Sequence, residues 1–373
     1  MLRWRSGTVV EVLRERPGAL ECRVLLERAP EGALAGPDAP GAQVRALAYT
    51  ALVGRPVAGD RVLVNTAALA RGLGTGGYAM VVALPEALPA DPPPGPGHLV
   101  KARYTPLQAM VLGVDEQESA HHDVLAGADD LAGVPVVVAD LHSALPAVVA
   151  GLRADAPQAR VVYVMTDGGA LPAAFSRAVA GLREAGWLAA CVSTGQSFGG
   201  DLEAATVHTG LLAARLVAGA DVVVVAQGPG NLGTGSRWGF SGVAAGEALN
   251  AAAVLGGRAV AALRVSQADE RERHRGLSHH SATAVGRVAL APVDVVVPDE
   301  AGAFWDGVRE QARALCAPRG RHRWVPVGTA GLDEALAACP VPLSTMGRGP
   351  EADRASFVAA AVAGRHAAAL LRS

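Results

Sequence analysis

The chain has 373 residues, 33 basic and 35 acidic side chains for a net charge of −2, half of its residues hydrophobic, and a mean hydropathy of +0.26. That length and apolar content imply two domains with ample buried interior, which excludes a disordered chain. The near-neutral charge gives no bulk attraction for phosphate backbones or anionic lipids, so nucleic acid is not a favoured partner. No run of about 18 apolar residues is free of Gly, Pro or charge, which leaves no membrane span. Met1–Gly7 leads into an alternating strand rather than a signal peptide's apolar core. Cys22, Cys191, Cys316 and Cys339 are scattered without CxxC spacing, as expected of reduced thiols in a cytoplasmic protein.

In the first 85 residues, five short β-rich stretches, Thr8–Leu13, Leu20–Leu26, Gln43–Tyr49, Asp60–Asn65 and Tyr78–Ala83, alternate with Gly, Pro or charged turns and predict a small SH3-like or OB-like barrel. Such barrels bind nucleic acid or dock on a neighbouring domain, and the acidic balance favours docking. Asp91–Gly97 (DPPPGPG) cannot be helical and reads as an extended linker. The expected organisation is therefore a barrel over 1–90, a linker over 91–97 and an α/β domain over 98–373.

The α/β part opens with a strand at His98–Tyr104, a helix entered at Thr105-Pro106, and a charged loop over Asp115–Asp123. Lys101, the only lysine in an arginine-rich chain, resists the compositional bias and is a candidate anion-binding group. From Val134 to Val297 one cycle then repeats, a buried Val/Ala/Leu strand breaking into small or polar residues before a helix. It predicts a mostly parallel, doubly wound sheet with helices on both faces, every polar break emerging at the carboxyl edge where ligands bind in open α/β folds. Beyond residue 300 the pattern continues as a helix at Ala301–Cys316, strand Trp324–Val327, helix Leu332–Cys339, strand Val341–Ser344 and a closing Ala-rich helix.

Candidate sites follow from those breaks. Gly228, Gly230 and Gly233 have G-x-G-x-x-G spacing, with Asn231 between them, but lack the later acidic residue of a dinucleotide fingerprint; they predict a phosphate or carboxylate cradle, or only a tight turn. Asp167 before Gly168 and Gly169, and Thr194 before Gly195, are small-residue loops that let a ligand approach the backbone. Asp201 reads as a helix cap.

The densest constellation runs from Arg264 to Ser281. Arg264, Arg271 and Arg273 suit bidentate anion recognition, and His274 or His279 suits acid/base work with Asp167 as partner. A divalent metal would use Asp140, His142, His279 and His280, with Asp269 as a further donor, although adjacent His279 and His280 do not easily face one ion from regular structure. Gly195-Gln196-Ser197-Phe198-Gly199 has the form of a nucleophile elbow, with Ser197 as a possible nucleophile.

Lys101–Gln108, Thr166–Pro172 and Arg271–His280 are also the segments at which the chain resembles a bacterial family known only as a domain of unknown function, over almost its whole length. That resemblance implies no activity, ligand or site residue. The residues themselves point to an enzyme acting on a small anionic metabolite, with a homo-oligomer left open; the other class is a non-catalytic ligand-binding or scaffold protein using its barrel for macromolecular contacts.

Overall fold

The computed structural model describes residues 2–74, 76–317 and 320–372. It divides into two units, one reaching to Pro96 with Ala102–Ala109, the other made of Gly97–Lys101 and everything from Met110.

In the first unit the five expected strands form, as β1 (Trp4–Arg16), β2 (Ala19–Arg28), β3 (Gln43–Tyr49), β4 (Arg61–Asn65) and β5 (Ala79–Ala83). They close into a barrel of order β1-β2-β3-β5-β4, in which β3 and β5 run parallel and the other neighbours antiparallel. This is the OB arrangement rather than the SH3 one, and the short helix Thr50–Val53 lies between β3 and β4 as OB barrels have it. Val9, Leu20, Val24, Leu26, Val62 and Val81 are among the inward residues. Asp38, fully buried, ties the loop before β3 to the barrel by accepting from Arg3, Thr66 and, through its backbone carbonyl, Arg5.

The second unit is built on eight parallel strands in the order Leu202–Glu203, Ala190–Ser193, Val161–Thr166, Val222–Gln227, Pro135–Ala139, Arg258–Ala262, Asp294–Asp299, Arg323–Gly328. Valine runs such as Val136–Val138 and Val222–Val225 are buried on both sides, as a sheet covered on two faces requires. The order is not the dinucleotide-binding 3-2-1-4-5-6, because the Val222 strand inserts between the first two strands of the sheet.

Two strand positions matter for ligands. From Pro135–Ala139 the chain leaves leftward in this order through helix Leu145–Asp155, whereas from Arg258–Ala262 it leaves rightward to Asp294–Asp299. Right-handed crossovers put those two connections on opposite faces, so a crevice opens between the two strand ends. A second reversal lies between Val161–Thr166 and Val222–Gln227.

Some local expectations change. Thr105–Gln108 is a turn, with Thr105 Oγ1 donating to the Ala102 carbonyl and the Tyr104 N–H donating to Gln108 Oε1. Val341–Ser344 forms no strand, since Pro340 and Pro342 have no N–H for a ladder. Asp201 caps no helix: it accepts from the Cys191 N–H and from Arg183, and Thr206 caps the helix Val207–Leu216. No helix among the described residues is long and apolar enough to cross a membrane.

Candidate functional site

Parallel strands bring Asp140, Asp167, Ser193, Gly230 and Ser266 to one edge of the sheet. The two reversal points there differ. Between Thr166 and Gln227 the loops close on each other: the Ala170 N–H donates to the Pro229 carbonyl at 2.7 Å, and the Gly228 N–H to the Thr166 carbonyl at 3.1 Å. A Cβ on Gly169 would strike the Gly228 carbonyl, one on Gly228 the Ala170 carbonyl, and one on Gly168 the Gln227 side chain. These glycines are accounted for by loop packing. Gly195, at φ +64°, is likewise set against Asp167, whose carboxylate accepts the Gln196 N–H at 2.8 Å. Asn231 Oδ1 takes hydrogen bonds from Gln227, Ser241 and Gly242, while Gly230 and Gly233 face open space.

Three other candidates are structural struts. Lys101 is buried, at 2% exposure, and its ammonium donates to the carbonyls of Ser197 and Ala204 beside Glu203. Ser197 is fully buried, its hydroxyl facing the carbonyls of Thr194 in its own loop and Met165 on the neighbouring strand, while Thr194 Oγ1 also donates to Met165. A nucleophile must stand exposed above the sheet, so Ser197 does not serve as one. His142 has both nitrogens engaged, Nδ1 with Tyr163 Oη at 3.1 Å and Nε2 with Ser176 Oγ at 2.7 Å, and burial lowers its pKa to about 4. It is therefore not brought to His279 and His280.

The crevice between Asp140 and Arg264 stays open. Asp140, Ser143, Arg264, Ser266, Asp269, Thr345, Arg348 and Phe357 are among its walls. About 30 Å³ is free for the centre of a water-sized sphere, room for two or three waters or one small anionic group.

The segment after Arg264 is folded over this crevice by a two-strand hairpin, Val265–Ser266 against Gly276–Leu277. The hairpin returns the chain so that the Ser278 N–H donates to the Arg264 carbonyl and Ser281 Oγ accepts the Arg264 N–H. Asp269 holds Arg271 through two contacts of 2.8 Å and also faces Arg348 at 3.3 Å; the Arg271 hydrogen bonds hold its carboxyl well below the usual range. Asp353, fully buried, accepts from Ser266 Oγ at 2.6 Å and from the Gln267 N–H. Arg271 is thus locked rather than offered to a ligand, and Arg273 is exposed beside the Gly235 loop.

His280 stacks flat on Phe240, centroids 3.8 Å apart, with Arg264 Nη1 3.0 Å and Asp140 Oδ2 3.5 Å from its Nδ1. His274 joins it, so that His274, His279 and His280 each offer a ring nitrogen within 4.8 Å of the other two. Burial first, then Arg264 and Arg271, lowers the His274 pKa to about 3; burial, His280 and Arg273 lower that of His279 to about 4. Such imidazoles are neutral at pH 7, lone-pair donors rather than acids. Asp140 Oδ2 and His279 Nε2 are buried without a hydrogen-bond partner.

Sequence reasoning missed Arg348, Asp353 and Phe240. Arg348 follows Gly347 and precedes Gly349-Pro350, a loop signal that could have placed it at the same edge.

Residues 45–364 match the family described as "Protein of unknown function (DUF3866)". No curated protein and no solved structure matches the chain.

Proposed function

The chain belongs to this family of unknown function, and from its site we propose that it is an enzyme acting on a small carboxylate- or phosphate-bearing metabolite in the Asp140–Arg264 crevice. The observation that carries this is the convergence of Arg264, Arg348 and Asp140 on one crevice where the sheet's connections diverge, with His280 against Asp140 and Arg264 and the rings of His274 and His279 packed on His280. Asp140 Oδ2 is left unpaired in the crevice wall, and His279 Nε2 in the imidazole cluster beside His280. Leaving a buried polar atom unpaired costs about 1–3 kcal/mol, a cost retained where a ligand supplies the partner. Arg264 receives the anionic group beside Arg348, whose guanidinium is positioned by Asp269 and Asp353, and the crevice volume fits that group while the rest of the metabolite extends toward the rim. The imidazoles of His274 and His279 supply lone pairs to activate water or a substrate hydroxyl, making a hydrolase or transferase the matching reaction class. The four free cysteines fit a reducing cytoplasm.

Titration calorimetry with inorganic phosphate, phosphomonoesters and short dicarboxylates tests this. At least one should bind the wild-type chain, and Arg264→Met should weaken it about tenfold to a hundredfold, the worth of one charge-assisted contact. Binding unchanged in Arg264→Met, or absent throughout the panel, sinks the proposal. A second reading, a scaffold using the barrel, is favoured by Val10, Val12 and Leu13, which stand 44%, 44% and 37% exposed on β1. It predicts that Val12→Asp abolishes capture of a macromolecular partner and leaves small-anion binding untouched.

A further inference from the structure

The three imidazoles form a compact triangle, with ring centroids 4.9 Å (His274–His279), 4.9 Å (His274–His280) and 4.5 Å (His279–His280) apart. Anion recognition alone needs no such cluster, because the three ring nitrogens, within 4.8 Å of one another, do not satisfy one another's hydrogen bonds.

Their outer contacts are informative. A histidine that binds a metal through one nitrogen hands the other N–H to a carboxylate, hydroxyl or carbonyl that fixes the ring. His274 has Ser278 Oγ at 2.7 Å from Nδ1. His280 has Asp140 Oδ2 at 3.5 Å from Nδ1, and Asp140, 6% exposed, keeps that oxygen without any donor. Arg264 Nη1 faces the same Nδ1 at 3.0 Å, and a guanidinium can only donate, so a metal on the opposite nitrogen of His280 requires Arg264 to turn from the ring and leave the Nδ1–H to Asp140. His279 Nε2 is buried with no partner. Phe240 fixes the group from one side, stacked on His280 and 6.0 Å from His279.

We infer that His274, His279 and His280 form a binding site for a divalent transition-metal ion of the zinc type, with Ser278 and Asp140 as the acceptors that orient His274 and His280. Three imidazoles select zinc, cobalt or nickel over magnesium or calcium, which prefer oxygen ligands. With three protein ligands, a fourth position is left for water or for an anion, as in catalytic rather than structural zinc sites. The site departs from the sequence expectation in its ligands: His274 replaces His142, and Asp140 moves from ligand to orienting group. The inference deepens the anion-site proposal and rests on it only for the identity of the fourth ligand.

The test uses the tag-free full chain after dialysis against chelator. Zinc titration should give one ion per chain, and cobalt should produce visible absorption of tetrahedral or five-coordinate intensity. His279→Ala and His274→Ala should each weaken zinc at least a hundredfold, and Asp140→Asn about tenfold to a hundredfold, the range for an orienting partner. Circular dichroism checks each variant, and His279→Gln replaces His279→Ala if the latter fails to fold. Absence of stoichiometric zinc and cobalt bands, or binding unaltered by both histidine variants, overturns the inference. Phosphate titration of the metal-free chain separates the two proposals: phosphate bound and zinc not leaves the anion site standing alone, whereas zinc bound with no anion at any metal loading removes the anion site and keeps the metal.

Discussion

Lys101→Met is expected to destabilise the α/β unit by about 3–5 kcal/mol, the cost of breaking a buried ion pair by removing one partner. Lys101 and Glu203 are both buried, and the lysine donates to the carbonyls of Ser197 and Ala204 as well as facing Glu203 at 3.6 Å. Burial disfavours both charged forms, lowering the lysine pKa and raising that of the glutamate, so each charge depends on the other. Methionine fills the stem's volume but leaves two carbonyls and a carboxylate without their cation. Glu203 keeps Ser193 Oγ and the Gly199 N–H, contacts a neutral amide can partly retain. The double variant Lys101→Met/Glu203→Gln should therefore recover about half of the loss. Urea unfolding measures both. A single variant within about 0.5 kcal/mol of wild type would return Lys101 to the role of a ligand-binding group.

This residue also marks the limit of what the sequence discloses. Its singularity was legible, its burial was not, because a polar residue's partners arrive from residues 197–204, about a hundred positions on. The strands were legible for the opposite reason: Val136–Val138 and Val222–Val225 are continuous apolar runs whose meaning does not depend on distant partners. The five barrel strands were read from local alternation, though choosing OB over SH3 needed the parallel pairing of β3 with β5.

At the carboxyl edge, Arg264–Ser281 stood out through charge density and does lie over the open crevice. Which histidines meet was not readable, since it is the Val265–Leu277 hairpin that carries His274 back to His279 and His280 and leaves His142 with Tyr163 and Ser176. The glycine loops were ambiguous in principle: Gly169 against Gly228 makes a close backbone approach of the kind a bound phosphate also requires, and only the fold says which of the two occupies the space.

Gly364→Ala is expected to cost about 3 kcal/mol and to weaken the crevice as well. Helix Pro350–Leu370 crosses helix Leu145–Asp155 with no side chain between the backbones: a Cβ on Gly364 would collide with the Val148 carbonyl, and one on Gly151 with the Ala361 carbonyl. A methyl group there cannot find room by rotating, because the obstacle is backbone, so the helices must separate and lose packing along their length. The shift reaches the site through the same helix. Asp353, at its kinked start, holds Ser266 and Gln267, and Ser356, Phe357 and Ala360 wall the crevice. Thermal unfolding should show the stability loss, and phosphate titration below the melting transition should show weaker binding in a chain that is still folded. Gly151→Ala should behave alike, and the double variant should cost less than the sum, since one separation relieves both clashes. Full additivity, or phosphate binding as tight as wild type in a clearly destabilised Gly364→Ala, would mean that this crossing does not position Asp353 and the crevice wall.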